Sequence, residues 1–113
     1  YLTYAEAVIR GASPIDGYTA LQAVNKVRER ANAKQLISVD KDVILDEWAR
    51  EFYFEGRRRT DLIRYGHFTG SNYIWDWKGG VANGTPLSSH LNLMPLPADD
   101  LNANDNLTQN PGY

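Results

Sequence analysis

The 113-residue sequence contains no cysteine, which excludes disulfide bonds, thiol nucleophiles and cysteine-ligated metal sites. Its two histidines, His67 and His90, are far apart and lack metal-ligand spacing, so we expect them to have core or surface roles. No Ser-His-Asp pattern, glycine-rich phosphate loop or nucleotide fingerprint is present. We therefore expect a protein that is not an enzyme and that uses no metal or cofactor.

Long apolar runs and an excess of positive charge are also absent. No segment approaches the roughly 20 apolar residues of a membrane-spanning helix. The 12 basic and 14 acidic residues give a formal net charge of -2, whereas a nucleic-acid binder usually has a concentrated basic face. The basic run at residues 57–59 is flanked by Glu55 and Asp61, which is typical of an ion-pair network. We expect no nucleic-acid partner.

Two capping-box patterns predict the starts of the first two helices. Thr3 and Glu6 form the first pattern, and Thr19 and Gln22 form the second. Small side chains on the two helices favour close antiparallel packing, as in a tetratricopeptide-type helix pair. These small residues are Ala5, Ala7, Ala20 and Ala23. A single pair buries little core, so we expect further helices upstream in the complete protein.

A third helix is expected to begin at Asp40 or Asp42, either of which can accept the capping hydrogen bond, and to run to about Phe54. Gly56 is suited to end it because glycine adopts positive φ without strain. A short fourth helix is predicted over residues 57–65. The apolar face of the third helix consists of Leu45, Trp48, Ala49 and Phe52.

Three carboxylates, Glu47, Glu51 and Glu55, recur at four-residue intervals and are predicted to share one helical face. Paired carboxylates can cleave a glycosidic bond, but arginines nearby would hold these groups ionised. Arg50 and the basic run at 57–59 are the expected partners. We favour salt bridges over catalysis.

Residues 67–113 are rich in glycine, proline and asparagine and are predicted to form ordered loops around a larger body. One β-hairpin is expected over residues 73–81, turning at the two glycines 79 and 80. Residues 93–97 should be extended because two prolines disfavour helix there. Residues 98–101 are expected to form one helical turn. The acidic and amide residues at 100–105 resemble an incomplete calcium loop, and Asx-turns explain them better.

The pattern as a whole predicts a mainly α fold with little β structure. Tetratricopeptide-like helix pairs come first, and a long loop-rich segment follows. Residues 1–66 would form a helical scaffold, and residues 67–113 would form a C-terminal wrap that belongs to the same domain.

Tyr73, Trp75 and Trp77 alternate along the sequence and would share one face of an extended strand. Flat rings in a row can stack on sugar rings, with Asn72, Asp76 and Lys78 near enough to bond hydroxyls. Two other interpretations remain: the rings anchor the loop to the core, or they contact a protein partner.

Several long motifs resemble the C-terminal part of the RagB/SusD family. YAEAVIRGA (4–12) and TALQAVNKVRERAN (19–32) resemble its last tetratricopeptide-type pair. ILDEWAREFYFEGRRRTDLIRYG (44–66) resembles its best-known segment, and LMPLPADDLNANDNLTQNPGY (93–113) resembles its ending. GHFTGSNYIWDWKGGVANGT (66–85) is similar to the branch that includes the starch-utilisation member.

The resemblance implies a surface lipoprotein of the Bacteroidetes outer membrane, anchored by an N-terminal lipid on a cysteine that this chain lacks. It implies an oligosaccharide- or polysaccharide-binding subunit that passes sugar to a SusC-like TonB-dependent transporter without cleaving it. Where many relatives have arginine, this chain has Trp48, so the ion pairs there are expected to differ. Residues matching the family's structural motif are Arg50, Glu51, Glu55, Gly56, Arg58, Arg59, Asp61 and Arg64.

The resemblance transfers no ligand site, because ligand contacts vary in the family and lie largely outside the part matched here. The glycan-binding candidates therefore remain Tyr73, Trp75 and Trp77. The alternative function is a tetratricopeptide-like module that binds only a protein or peptide.

Overall fold

The structure is a computed structural model that describes residues 1–113, and it is mainly α-helical. The structure contains no β-sheet, and its β-pairing is an isolated antiparallel bridge between Gly70 and Leu87. The fold-class prediction is therefore confirmed. The chain divides into an N-terminal unit, Tyr1–Asp61, and a C-terminal unit, Leu62–Tyr113. The helices are α1 (Leu2–Ile9), α2 (Ala20–Arg30), α3 (Lys41–Glu51), α4 (Arg58–Arg64) and α5 (Ala98–Ala103).

Helix α1 begins two residues earlier than the first capping pattern predicted. Its N-cap is Tyr1, which provides no side-chain hydrogen bond, and Thr3 lies inside the helix. The prediction of a Thr3–Glu6 capping box was wrong because Glu6 is buried and bonds elsewhere. Its carboxylate accepts hydrogen bonds from Arg10 Nε and from Trp48 Nε1, both at 2.9 Å.

Helix α2 begins with the capping box that the sequence predicts. The Thr19 hydroxyl accepts a hydrogen bond from the Gln22 amide at 3.2 Å, and the Gln22 side chain accepts one from the Thr19 amide at 2.7 Å. These two bonds satisfy donors that a helix start otherwise leaves unpaired.

Helices α1, α2 and α3 pack around the core of the N-terminal unit. Ala5 and Ala23 are completely inaccessible, which allows the backbones of α1 and α2 to approach closely. Ala7, which we expected at the same contact, is exposed. The buried apolar residues of this core are Leu2, Ala5, Ala20, Ala23, Val24, Ile44 and Trp48.

The turn between α1 and α2 is held by one hydroxyl. Tyr4 Oη donates to the Tyr18 carbonyl at 2.6 Å and accepts from the Ile15 amide at 2.9 Å. The two tyrosine rings are also in contact, with centroids 5.7 Å apart. This tyrosine fixes where α2 begins relative to α1.

Helix α3 is capped by Asp40, one of the two predicted caps, whose carboxylate accepts from the Val43 amide at 2.9 Å. The helix ends at Glu51, earlier than the predicted Phe54, because the backbone leaves helical geometry at Phe52 (φ −113°, ψ 35°). The left-handed φ of 63° at Phe54 prevents it from resuming there. Gly56 has the predicted positive φ, 74°, but belongs to the turn after the helix.

The carboxylates of α3 form ion pairs, as predicted, although arginines of α2 supply much of the charge. Glu47 is buried and accepts from both Arg28 and Arg50. Glu51 accepts from Arg30 at 2.6 Å. Glu55 is exposed and lies beyond the helix end, so the expected single face of three carboxylates was wrong.

The C-terminal unit consists mostly of turns and loops. The predicted hairpin at residues 73–81 does not form, because these residues are in no strand and Trp77, in the expected first strand, has a left-handed φ of 67°. Gly79 and Gly80 do form a turn, with positive φ values of 67° and 78°. Helix α5 and the non-helical segment 93–97 before it agree with the sequence prediction.

Polar side chains near the end of the chain bind the segment at 93–97. Gln109 bonds to both the amide and the carbonyl of Leu96, at 2.8 and 3.0 Å. Asn110 Nδ2 donates to the Met94 carbonyl at 2.7 Å, and Tyr113 Oη donates to the Leu93 carbonyl at 2.8 Å. These bonds order the loop-rich segment without forming a sheet.

Replacing Thr19 with alanine should destabilise the protein by about 1 kcal/mol, because the hydroxyl that accepts from the Gln22 amide is lost, while the main-chain amide of residue 19 can still donate to the Gln22 side chain. Thr3→Ala is the matched control and should change the free energy of unfolding by only a few tenths of that, since Thr3 caps nothing. Urea unfolding followed by far-UV circular dichroism measures both. Equal losses in the two variants would contradict this assignment of caps.

Gly56→Val should destabilise the protein by about 1–2 kcal/mol through backbone strain alone. A Cβ at this position would meet nothing within 4 Å, so no steric clash contributes. Gly56→Asn should cost less, because asparagine tolerates the left-handed region better. Thermal melts that rank valine equal to asparagine would show that φ at this position is not constrained.

Candidate functional site

Five aromatic side chains of the C-terminal unit form a continuous cluster, which we call the aromatic cluster: Tyr65, His67, Phe68, Tyr73 and Trp75. His67 stacks on Tyr73 with centroids 5.0 Å apart and planes 10° apart. Tyr73 then contacts Trp75 at 6.1 Å, and Trp75 stacks on Phe68 at 6.5 Å. All these separations are favourable for aromatic pairs.

The structure brings together two of the three predicted glycan-binding residues. Tyr73 and Trp75 are half-buried members of the aromatic cluster, whereas Trp77 lies outside it and is 68% exposed. The expected single row of three rings was wrong, because the backbone turns at Asp76 and Trp77. Trp77 therefore presents most of its indole to solvent.

Lys78 is buried, with only 1% of its surface accessible. Its ammonium donates to the carbonyls of His67, Gly70 and Tyr73 at 3.3, 3.1 and 2.6 Å. It also lies 4.6 Å from the centre of the Trp75 ring, a cation–π distance. Burial lowers the pKa of Lys78 below its ordinary value. The expectation that this lysine serves sugar hydroxyls was wrong, since solvent does not reach it.

Main-chain hydrogen bonds close the loop that carries these residues. The Lys78 amide donates to the Trp75 carbonyl at 3.0 Å, and the Lys78 carbonyl accepts from Thr85 at 2.9 Å. Gly84 packs so closely against Trp75 and Ile74 that a Cβ there would overlap both. The loop is therefore closely packed as well as hydrogen-bonded.

In the N-terminal unit, Arg57 connects the motif after α3 with the core. Its guanidinium forms a two-point ion pair with the buried Asp61, with both N···O distances 3.1 Å. The same group lies 3.9 Å from the Trp48 ring centre and 4.6 Å from that of Phe52. Trp48 thus supports a cation on its face while its Nε1 donates to Glu6.

The other residues of the predicted structural motif also have structural contacts. Arg58 donates to the Leu45 carbonyl at 2.9 Å. Arg64 lies over the Tyr65 ring at 5.4 Å, and Arg59 is half-buried. Arg50, Glu51 and Asp61 are in the ion pairs already described, so most of the motif forms contacts within the fold, with the exposed Glu55 as the exception.

Sequence reasoning missed a cavity of about 470 Å³ in the N-terminal unit. Two strongly exposed rings, Tyr53 and Phe54, form its rim and contact each other at 4.5 Å. The dense FYFEGRRR run was the available indication, because it places aromatics and arginines around one glycine. The lining residues are Trp48, Ala49, Phe52, Tyr53, Phe54, Gly56, Arg57, Arg58, Arg59 and Asp61.

No group of three histidine, cysteine, aspartate or glutamate side chains is placed to hold a metal ion. Asn104 accepts from the Asn106 amide at 3.0 Å, which confirms an Asx-turn in the segment that resembles a calcium loop. The helices are all too short or too polar to cross a bilayer.

The chain is a helix pair followed by a third helix and a loop-rich aromatic segment, and comparison with known proteins identifies this helical class. A family model described as the SusD family matches residues 1–113. The chain belongs to the SusD family.

Among characterised proteins, the chain is 49% identical over 114 residues to the starch-binding protein SusD of Bacteroides thetaiotaomicron. The match covers all of this chain and 20% of that relative. The chain therefore spans about a fifth of the length of the curated relative that it matches.

Solved structures agree with this assignment. The surface glycan-binding protein A from Bacteroides thetaiotaomicron superimposes with a TM-score of 0.77 at 32% identity, over 97% of this chain and 22% of that one. A SusD-like protein from Bacteroides fragilis superimposes with a TM-score of 0.71 at 27% identity, over 100% of this chain and 24% of that one. The helical fold is thus shared with SusD-like proteins.

Gly84→Ala should destabilise the loop by about 1–3 kcal/mol more than Gly80→Ala. Both glycines have similar positive φ values, 73° and 78°, so their backbone costs match. Only at position 84 would the new methyl group overlap the Trp75 carbonyl and Ile74. Unfolding monitored by near-UV circular dichroism compares the variants, and equal midpoints would contradict the close packing of this loop.

Proposed function

We propose that the protein containing this chain is the glycan-binding subunit of an outer-membrane nutrient uptake system. The observation that carries the proposal is the 49% identity, across the whole chain, to a starch-binding protein. The fold shared with a surface glycan-binding protein supports it. An oligosaccharide or polysaccharide, with α-glucans first, is the proposed ligand class.

Within this function, the N-terminal unit serves as a scaffold and the loop of the C-terminal unit serves as the recognition surface. Binding residues concentrate on loops held by rigid elements. Trp77 is the proposed stacking ring because most of its indole faces solvent. Tyr73 and Trp75 are proposed to contact sugar through the edges that remain accessible in the aromatic cluster.

The protein is proposed to bind glycan without cleaving it. A glycosidase needs one carboxyl group that keeps its proton near neutral pH. Glu47 is buried between two arginines and Glu51 is paired with a third. Both carboxylates are thus already held in ion pairs within the fold, and we propose no general-acid role for either.

The uptake role extends the proposal to a location and a partner. We propose an outer-membrane surface lipoprotein that delivers its glycan to a SusC-like TonB-dependent transporter. Membrane contact would be made through an N-terminal lipid anchor. Family membership supports this arrangement.

A second candidate function is a tetratricopeptide-like module that binds a protein or peptide. The observation that favours it is the 470 Å³ cavity with the exposed rings of Tyr53 and Phe54 at its rim. Aromatic residues and arginine are the side chains most enriched at the centres of protein interfaces.

Calorimetric titration of the complete gene product with an oligosaccharide panel, led by α-glucans, tests the glycan proposal. Saturable binding to one glycan class is the expected result, with no release of reducing ends. A well-folded protein that binds no member of the panel would overturn the glycan proposal in favour of the protein-binding module. Turnover of a bound glycan would contradict the non-enzymatic role.

Trp77→Ala should weaken glycan affinity by about 1–2 kcal/mol, or roughly 5–30-fold in Kd, because a solvent-facing stacking ring is lost. Tyr53→Ala is the matched control, since it removes an equally exposed ring from the N-terminal unit. It should leave the Kd unchanged. Titration of both variants decides the point: unchanged affinity in a folded Trp77→Ala protein would exclude Trp77 from the site.

A further inference from the structure

Lys78 is the largest fully buried side chain in the protein, and it carries a charge. An ion removed from water is costly unless its hydrogen bonds are replaced within the fold. Here the replacement comes entirely from backbone dipoles, since the ammonium bonds to three carbonyls and pairs with no carboxylate. Such a site needs a structural explanation.

The geometry uses the full donor capacity of the lysine. An ammonium has three N–H donors, and three carbonyls accept from it. The face of Trp75 lies against the same charge at 4.6 Å. The carbonyls belong to His67, Gly70 and Tyr73, so a single group gathers three points spread over seven consecutive residues.

Those three points are the backbone of the aromatic cluster. His67 and Tyr73 provide the stacked pair, and their carbonyls converge on the ammonium. The backbone of Lys78 in turn bonds to Trp75 and Thr85, on either side of it in the chain. Removal of the charge would leave three carbonyls facing each other with no donor between them.

We propose that Lys78 is a positioning residue: a tethered cation that folds residues 67–78 around itself and thereby sets the direction in which Trp77 projects. Trp77 precedes it directly in the chain and has a left-handed φ of 67°, a conformation that a bulky residue adopts only when its surroundings impose it. The role given to Trp77 rests on the proposed glycan function. The organisation of the loop does not.

The first experiment uses the unmodified protein. Reductive methylation should modify Lys26, Lys34 and Lys41, which are exposed, and leave Lys78 unmodified in the folded state. Peptide mass spectrometry measures each site. Methylation of Lys78 at the rate of Lys34 would overturn the proposal, because a cation inside the loop cannot be open to the reagent.

The second experiment compares Lys78→Met with Lys34→Met. Methionine fills a similar volume without charge, and Lys34 provides the same exchange at an exposed position. We expect Lys78→Met to have a weaker near-UV circular dichroism signal than the unmodified protein. The hydrogen-exchange protection factors of the Gly70 and Thr85 amides should fall about tenfold. Lys34→Met should match the unmodified protein. Full protection in Lys78→Met would overturn the proposal.

The third experiment supplies the cation from solution. Lys78→Ala removes the chain beyond Cβ, and n-propylammonium has the atoms that were removed. Millimolar n-propylammonium should restore the near-UV signal and the amide protection, whereas n-propanol and tetramethylammonium at equal concentration should not. Equal recovery with n-propanol would show that volume, not charge, is what the loop requires, and would overturn the proposal.

These three experiments use no glycan, so they test the role of Lys78 in the loop independently of the proposed glycan-binding function. If the unmodified protein binds glycan, Lys78→Met should weaken the affinity at least as much as Trp77→Ala. Unchanged affinity in Lys78→Met would overturn the positioning role. Absence of glycan binding by the unmodified protein would instead overturn the proposed function, and the loop readouts would still decide the role of Lys78.

Discussion

Both units depend on the same constraint, which is that a buried charge must find all its partners inside the fold. Glu6, Glu47 and Asp61 are buried carboxylates of the N-terminal unit, and each is met by at least one arginine or an indole N–H. Lys78 is the buried cation of the C-terminal unit, met by carbonyls. Removal of one partner leaves the other charge buried and unpaired, which is costly. These contacts therefore specify geometry more than they add net stability.

The two units solve this constraint differently because their secondary structure differs. Helices satisfy their own backbone groups, so side chains such as Arg28 and Arg57 remain available to pair with carboxylates. Loops leave carbonyls without partners, and a lysine ammonium or an amide such as Gln109 must bond to them.

Features that depend on local physics could be predicted from the sequence. The Thr19 capping box, the Asp40 cap and the positive φ of Gly56 are set by residues within four positions, and all are present. The failed cap at Thr3 involved a partner distant in sequence, whereas the early end of α3 and the missing hairpin reflect left-handed backbone conformations at Phe54 and Trp77 that the side-chain pattern does not indicate. The Glu6 carboxylate does not cap α1 and instead accepts a hydrogen bond from Trp48 Nε1, 42 residues away in sequence.

The aromatic site shows the same limit. Alternation at residues 73–77 indicated a strand, but the pattern carried no sign that Lys78 would be drawn inward. A lysine beside two tryptophans usually reads as a surface residue, because lysine is almost never fully buried. The buried position of Lys78 becomes evident only from the structure, in which three backbone carbonyls converge on its ammonium group.

The carbonyl set around Lys78 also changes how substitutions in related sequences should be judged. Exchange tables score lysine and arginine as near equivalents. A planar guanidinium with five donors arranged as a fork does not match three carbonyls around one compact ammonium. At this position arginine would count as a radical replacement, and a relative that carries it would need a different loop.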